Sequence, residues 1–510
     1  MGEASTTRLV GRVAQYFPYS EVRPFQDEFA NAIYEAVEAG SHVILEGSNG
    51  LGKTVAALSA CLPVAEERDL RILYVAKTHQ QHDRVIEELQ SISKRREISG
   101  ISVRGRREVC LHPLVLRHAP DARSAMEVCE LLKQTGKCPY YESFQGDLDW
   151  FMDVQTHIVS HPCTASEIRE LCRRRGVCPY ELVKRVMGDV DVISLSYLYV
   201  FDSSIRSAFL KHLEKPLDRV ILIVDEAHNL PETALEIASE TLTLFTIRMA
   251  EQEARRFDHP DIAAFSRRLR EIVEDLASKV DQEAHIHPLE ILERLQREVD
   301  LGEPQSYFEY LCEVGGAIRR SLLMQGRSPR SYIHKVGRFL LKWMETSEDE
   351  AFTHILARYV TKAGATSSRL EIVALDPSRV TAPVFSSVYC SVVMSGTLEP
   401  MDAYIQIMGM PENTVQRSVP APFPPENVLA LACRGVTTLM RKRTREMYRK
   451  LVRRIAEAIR YSPEANVGVF AASYEVLQGI LEAGIEHVVD RKLFVERQGM
   501  SSRENDRLIR

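Results

Sequence analysis

Residues 47–54 read Gly47-Ser48-Asn49-Gly50-Leu51-Gly52-Lys53-Thr54, and this octet decides the fold. It fits G-x-x-x-x-G-K-[ST], the phosphate-binding loop of nucleotide hydrolases. His42-Val43-Ile44-Leu45 reads as a short buried strand feeding the loop, and Val55-Ala56-Ala57-Leu58 opens an apolar helix after it. Gly47, Gly50 and Gly52 free the backbone to wrap round phosphates, so that successive N–H groups and the helix N-terminus face the negative charge. Lys53 is then placed to reach the β/γ-phosphates, and the Thr54 hydroxyl to sit on Mg2+. A glycine-rich turn matching by chance would not carry strand, loop and helix in this order. The octet predicts an α/β domain that binds a nucleoside triphosphate with Mg2+.

The chain has 510 residues, too many for one core, and about three or four domains are expected. Its hydrophobic content of 45% and charged content of 27% are those of an ordinary globular protein. The net charge of −6 neither favours nor excludes nucleic acid, because binding needs a local basic track rather than a basic total. No apolar run is long enough to span a bilayer and no signal peptide opens the chain, so a cytoplasmic protein without membrane contact is expected. Met1-Gly2 with Thr6 fits a myristoylation pattern that is too short and common to use. Ten cysteines in such a chain are expected as thiols or metal ligands rather than disulfides.

Outward from the octet, Arg23-Pro24-Phe25-Gln26 precedes a helix-like run, Phe29 to Val37, and a solvent-facing cap explains it as well as a ligand contact does. Arg71 to Ala76 is a second buried strand, with Lys77-Thr78-His79-Gln80-Gln81 at its C-terminal end, where open α/β sheets bind ligands. These polar residues suit either a nucleic-acid backbone or a plain helix cap. Asp191 to Tyr197 is another strand, and Val220 to Val224 runs straight into Asp225-Glu226-Ala227-His228. At that strand end Asp225 is suited to hold Mg2+ through water and Glu226 to polarise the attacking water. His228 is placed to relay between the nucleotide and the rest of the motor. The gap from Thr54 to Asp225 is 171 positions, about twice what a compact nucleotide-binding domain needs, so an insertion lies between them.

That insertion holds Cys110, Cys129, Cys138 and Cys178, two of them in the repeated pattern Cys138-Pro139-Tyr140 and Cys178-Pro179-Tyr180. Cys163 and Cys172 lie in the same region. None forms the C-x2-C pair usual for zinc. Single thiolates at wide spacing fit a cubane iron–sulfur cluster, and buried cysteines acting as small hydrophobes remain the alternative. Arg104, Arg106 and Arg107 before Cys110, and Arg173, Arg174 and Arg175 before Cys178, form a candidate phosphate track beside them.

Taken in order, the phosphate loop, the four cysteines and Asp225-Glu226-Ala227-His228 resemble the XPD/DinG family of superfamily two helicases, and within it archaeal XPD-like proteins. Met394-Ser395-Gly396-Thr397-Leu398 resembles motif III, Phe423-Pro424-Pro425-Glu426-Asn427 a linker into the second motor domain, and Val469-Phe470-Ala471-Ala472-Ser473-Tyr474 motif IV at a strand end. The resemblance implies an α/β fold: a RecA-like P-loop motor domain with an inserted iron–sulfur domain and a helical arch, plus a partial second RecA-like domain. It implies that Gln26 reads adenine, that Thr78, Arg106, Ser473 and Tyr474 touch DNA, and that Cys110, Cys129, Cys138 and Cys178 hold a 4Fe–4S cluster. The implied activity is ATP-dependent 5′-to-3′ movement on single-stranded DNA with duplex unwinding in DNA repair, by a monomer engaging forked DNA. Protein partners are expected at the arch.

The expected domains are 1–100, 186–240 and 377–415 for the first motor, 101–185 for the iron–sulfur domain, 241–376 for the arch and 416–510 for the incomplete second motor. The arch reading rests on helix-period stretches, Ala263 to Leu276 and Pro288 to Val299, after which Glu371 to Pro377 is expected to rejoin the first sheet. Past Phe494-Val495-Glu496-Arg497-Gln498-Gly499, Arg507-Leu508-Ile509-Arg510 echoes motif VI without a glycine-rich motif V before it, and reads as an amphipathic helix end. A truncated second sheet should expose an apolar edge. Beside the helicase stand two alternatives: a non-hydrolysing ATP- and DNA-binding fragment lacking motifs V and VI, and a nuclease on the same motor, for which no extra carboxylate cluster is found.

Overall fold

The structure, a computed structural model, describes residues 8–118, 122–146, 148–299, 301–325, 327, 329–361, 364–497 and 500. The chain divides into two compact units, Met1–Pro422 and Phe423–Arg510. In chain order the strands are β1 (Val43–Gly47), β2 (Arg71–Ala76), β3 (Gly100–Ser102), β4 (Val192–Ser196), β5 (Val220–Val224), β6 (Glu240–Thr243), β7 (Glu283–His285), β8 (Phe352–Val360), β9 (Thr366–Ala374), β10 (Cys390–Ser395) and β11 (Val415–Val419).

Seven of these form one sheet in the order β11-β1-β10-β5-β2-β4-β3, every pair parallel. Its strands are aliphatic on both sides because helices cover both faces. Alternation along each strand sorts the side chains. Ile44, Leu73, Val75, Ile193, Leu222, Val224 and Val393 point into one core. Val43, Leu45, Ile72, Tyr74, Val192, Ile223 and Met394 point into the other, under helices Gln26–Glu38, Lys53–Arg68 and His79–Ile92. All the strands run the same way, so the phosphate loop, Thr78, Asp225 and Gly396 emerge at one edge of the sheet.

Three expectations are corrected here. The first motor does not stop at residue 415: β11 pairs with β1 from Val43↔Val415 to Gly47↔Val419, so residues 416–419 belong to the first sheet. The arch is not purely helical, and residues 371–374 do not return to the motor sheet. They lie in β9, within a four-stranded antiparallel sheet ordered β6-β9-β8-β7. The physical reason is period-two burial along β9, with Ser368, Leu370, Ile372 and Ala374 inward between charged neighbours that mask the alternation. Helices Pro260–Ser278, Pro288–Glu298, Pro304–Met324 and Tyr332–Glu345 pack on this sheet round Phe265, Phe308, Phe339 and Trp343.

The cysteine-bearing insertion is more firmly rooted in the motor than a separate 101–185 domain would be. β3 belongs to the motor sheet, and Trp150, Val154, Ile158, Cys163, Cys172 and Leu182 join one of its two cores. Val115, Ala125, Val128, Leu132 and Cys138 form a small core of their own.

In the second unit, helices Arg445–Arg460, Tyr474–Glu482 and Ile485–Val488 enclose Val452, Ala456, Val476, Ile480 and Ile485. Residues 469–472 form no strand, and no strand occurs among the described residues of this unit, where no ladder partner meets them. Val469 and Phe470 stand in the open at 43% and 98% exposure, as does Leu429 elsewhere in the unit, while Ala471 packs against its core. Gln498, Gly499 and the Arg507–Arg510 echo of motif VI lie outside the described residues. Among those that are described, no helix is long and apolar enough to cross a membrane.

Candidate functional site

The phosphate loop closes on itself around Lys53, whose side chain is buried. Its Nζ donates to the Gly47 carbonyl at 3.0 Å and to Asn49 Oδ1 at 3.2 Å. Gly50 and Gly52 take φ of 91° and 83°, the left-handed region that a side chain would strain, and a Cβ on Gly52 would run into the Gln26 amide. That amide, Nε2, donates to the Gly52 carbonyl at 3.2 Å while its Oε1 accepts from Arg23 N at 3.1 Å. Gln26 is 2% exposed and Arg23 also reaches the Gly50 carbonyl, so the pair stiffens the loop from outside. The Ser48 hydroxyl is buried without a hydrogen-bond partner. An orphan hydroxyl, a cradle of turned glycines and a buried ammonium together suit a polyphosphate.

Thr54 and Asp225, the two expected Mg2+ ligands, are brought together by a residue the sequence reading passed over. Tyr74, fully buried on β2, places its hydroxyl 2.9 Å from Asp225 Oδ2 and 3.5 Å from Thr54 Oγ1. Glu226 N donates to Asp225 Oδ1 at 2.9 Å. Burial raises the Asp225 carboxyl above the usual carboxylate range, and the Tyr74 hydrogen bond pulls the other way. A bound cation would favour the ionised form. A lone tyrosine in an otherwise aliphatic strand was the available signal.

Glu226 turns through φ 48° and reaches the end of β10. His228 Nδ1 lies 2.7 Å from Ser395 Oγ and 3.3 Å from Glu226 Oε2, and Ser395 Oγ is 3.5 Å from that same oxygen. Beside Ser395, a Cβ on Gly396 would lie 3.5 Å from Asn49 Oδ1, so the turn after β10 abuts the phosphate loop. Glu46, also missed, locks that turn: its carboxylate accepts the N–H groups of Leu398 and Glu399. The loop, the acidic pair and Ser395-Gly396 thus form one connected constellation.

The residues expected to touch nucleic acid each have a local partner. Thr78 caps helix His79–Ile92, its hydroxyl accepting from Gln81 N at 3.4 Å while the Gln81 side chain accepts from Thr78 N. Arg106 is turned inward, its guanidinium 4.6 Å over the Tyr180 ring and donating to the Met126 carbonyl at 3.2 Å. In the second unit Ser473 caps helix Tyr474–Glu482, and the Tyr474 hydroxyl donates to Glu496 at 2.8 Å.

Cys110, Cys129, Cys138 and Cys178 come from four separate segments; Cys110 lies within electrostatic reach of Cys129 and Cys138, and Cys178 of Cys129. Burial pushes Cys110 up to about 11, with Cys129 and Cys138 adding, and pushes Cys178 up to about 12, with Cys129 adding. Cys138 and Cys178 each stand immediately before a proline-led helix, and N–H groups of Tyr180 and Glu181 point back at the Cys178 sulfur. His112 N donates to Cys110 Sγ at 3.4 Å. Four neighbouring cysteines, two of whose sulfurs meet backbone N–H donors, have the chemistry that a cluster of thiolate-ligated iron would need. Among the described residues no three His, Cys, Asp or Glu side chains close to metal-holding geometry. Cys163 and Cys172 behave as core residues, and Cys163 is held to Ile101 by a backbone bridge.

Two family models match in succession: DEAD_2 over residues 74–247 and the helical and beta-bridge domain over residues 250–442. The general transcription and DNA repair factor IIH helicase subunit XPD/RAD3 of Saccharomyces cerevisiae is 22% identical over 79% of this chain and 60% of its own length. The ATP-dependent DNA helicase chl1 of Neosartorya fischeri is 23% identical over 84% of this chain and 54% of its own. The chain therefore spans between half and two thirds of the length of these two relatives. A solved XPD helicase structure superposes with a TM-score of 0.57 at 20% identity, covering 96% of this chain and 79% of that one. A truncated XPD structure does so with a TM-score of 0.50 at 21% identity, covering 76% and 98%. Two consecutive domain matches, together reaching from residue 74 to residue 442, and the XPD and chl1 relatives support an XPD/DinG-family helicase, and the solved structures show the shared fold.

Proposed function

We propose that this protein is an ATP-dependent DNA helicase that couples ATP hydrolysis to 5′-to-3′ movement on single-stranded DNA and to duplex unwinding, in DNA repair. The observation that carries the proposal is the contact of His228 Nδ1 with Ser395 Oγ at 2.7 Å, beside Glu226. It joins the residue that polarises water to the end of β10, so a change at the γ-phosphate reaches the turn packed on the phosphate loop.

In this reading ATP lies on Gly47 to Thr54, with Lys53 exchanging its carbonyl partners for β/γ-phosphate oxygens. Thr54 and Asp225 hold Mg2+, and Glu226 orients the attacking water. Gln26 supports the loop at the end where adenine would lie. Cys110, Cys129, Cys138 and Cys178 would hold a 4Fe–4S cluster, which when bound cross-links four segments that share only a small core. The protein works as a monomer on single-stranded and forked DNA, with the arch available to protein partners.

The test is ATP turnover by anaerobically purified protein with and without single-stranded DNA, alongside strand displacement from forks bearing a 5′ or a 3′ tail. DNA-stimulated turnover with displacement from the 5′-tailed fork supports the proposal. Displacement from the 3′ tail alone would overturn the direction. A second reading, binding of ATP and DNA without turnover, is favoured by the absence of strands among the described residues of the second unit, and the same assay separates the two.

A further inference from the structure

A protein of net charge −6 carries nine Lys or Arg and only two Glu between residues 441 and 460. Eight of the nine cations lie on the turn Met440–Lys442 and on helix Arg445–Arg460 of the second unit, with Arg443 between the two. The helix has two opposed faces. Val452 and Ala456, with Tyr448, Leu451, Ile455 and Ile459, pack into the core of this unit. On the outside stand Arg445, Arg449 and Arg453, each four residues from the next and all exposed, with Arg441 and Lys442 exposed in the turn that leads in. A four-residue step places successive guanidinium groups about 6 Å apart along the axis.

The acids nearby are committed elsewhere. Glu446 pairs with Lys450 at 2.9 Å, Glu457 with Arg454 at 2.7 Å and Glu475 with Arg443 at 2.6 Å. Among the described residues, Arg441, Lys442, Arg445, Arg449 and Arg453 make no ion pair, so this row keeps its charge. Uncompensated like charge along a helix is mildly repulsive, and a bound polyanion would offset it.

We propose that this row of arginines is a binding surface for the phosphate backbone of single-stranded DNA, separate from the strand-end motifs. The proposal rests on the DNA-helicase reading and adds a second, ATP-independent contact to it. Seven of the nine cations are arginine, whose planar fork matches phosphate bidentately. A membrane-surface helix would set apolar side chains beside its cations, whereas here the apolar face is already buried in the protein. The contact is sequence-independent and salt-sensitive by nature.

The experiment compares the whole protein with the triple variant Arg445→Gln, Arg449→Gln and Arg453→Gln. Fluorescence anisotropy with a labelled single-stranded oligonucleotide is recorded without ATP across a NaCl series, with circular dichroism to check that the helix persists. Three lost phosphate contacts should flatten the slope of log Kobs against log[NaCl] by about 2. ATP turnover without DNA should be unchanged. A wild-type protein that binds DNA with the same slope as the variant overturns the surface and leaves the helicase reading standing. A wild-type protein that binds no DNA overturns both. Loss of binding to phosphatidylserine vesicles with an unaltered DNA slope assigns the row to lipid and overturns the proposal.

Discussion

Acidification should destabilise the first unit through one buried histidine. His82 lies on the inner side of helix His79–Ile92, 1% exposed, with Nδ1 3.0 Å from Ser194 Oγ on β4. Burial, with neighbouring His79 and Arg104 adding, lowers its pKa from 6.5 to about 3. The unfolded chain therefore binds a proton that the folded chain refuses throughout that window. Stability contributed by neutral His82 is complete above 6.5 and is lost as pH falls toward 3. At 1.36 kcal/mol per pKa unit, moving from pH 7 to pH 5 removes about 2 kcal/mol.

His82→Gln keeps a polar partner for the Ser194 hydroxyl but cannot titrate. Urea denaturation of wild type and variant at both pH values isolates the histidine from every other titrating group. The wild type should lose about 2 kcal/mol more than the variant on acidification. Equal losses would refute the argument, because they would mean that His82 is as readily protonated in the fold as outside it.

Lys53→Ala should abolish ATP hydrolysis while leaving single-strand binding mostly intact in an anisotropy assay, since its Nζ contacts lie within the phosphate loop. Cys110→Ser, or the same change at Cys129, Cys138 or Cys178, should remove the brown chromophore and unwinding, read by visible spectrum, iron content and strand displacement, with ATP binding largely spared. Tyr74→Phe deletes a buried hydrogen bond to the Asp225 carboxylate and should lower stability by about 1.5–3 kcal/mol and raise the Mg2+ concentration needed for half-maximal turnover. Gly337→Ala should destabilise the arch and spare DNA-free ATP turnover, measured by thermal unfolding beside the turnover assay. A Cβ there would meet the Phe308 carbonyl at 2.8 Å and Cys312 Sγ at 2.9 Å where two helices cross.

The motor was legible because its strands announce themselves. Arg71–Ala76 and Val220–Val224 are aliphatic runs whose bounds the structure reproduces, and each ends in a polar stretch at the edge where ligands bind. The arch sheet was not legible. β8 and β9 are amphipathic strands, with Arg358 exposed on β8 and Arg369 and Glu371 away from the buried side of β9, and a charged segment of helical neighbours absorbs that signal. Val469–Ala472 shows the opposite failure. Its residues favour a strand, but a strand exists only where a neighbour completes its hydrogen bonds, and composition says nothing of the neighbour.

Within the site, groups that meet phosphate or metal were readable, because chemistry restricts them to a few residue types at fixed spacing. The groups that hold those residues in place were not, because any nearby donor or acceptor will serve. Glu46 is one residue before the quoted octet, yet its partners are the N–H groups of Leu398 and Glu399, some 350 positions away. Tyr74 is embedded in a strand read only for its hydrophobicity, yet its hydroxyl stands between Thr54 and Asp225. His82 shows the same limit from the other side. A histidine four residues from Thr78 invites a nucleic-acid role, and the helix turns it instead toward Ser194, because the side facing the sheet is fixed by Val85, Ile86 and Leu89. Catalytic identity is local in sequence, whereas positioning is a property of the packed sheet, and in this chain β1, β2 and β10 supply it.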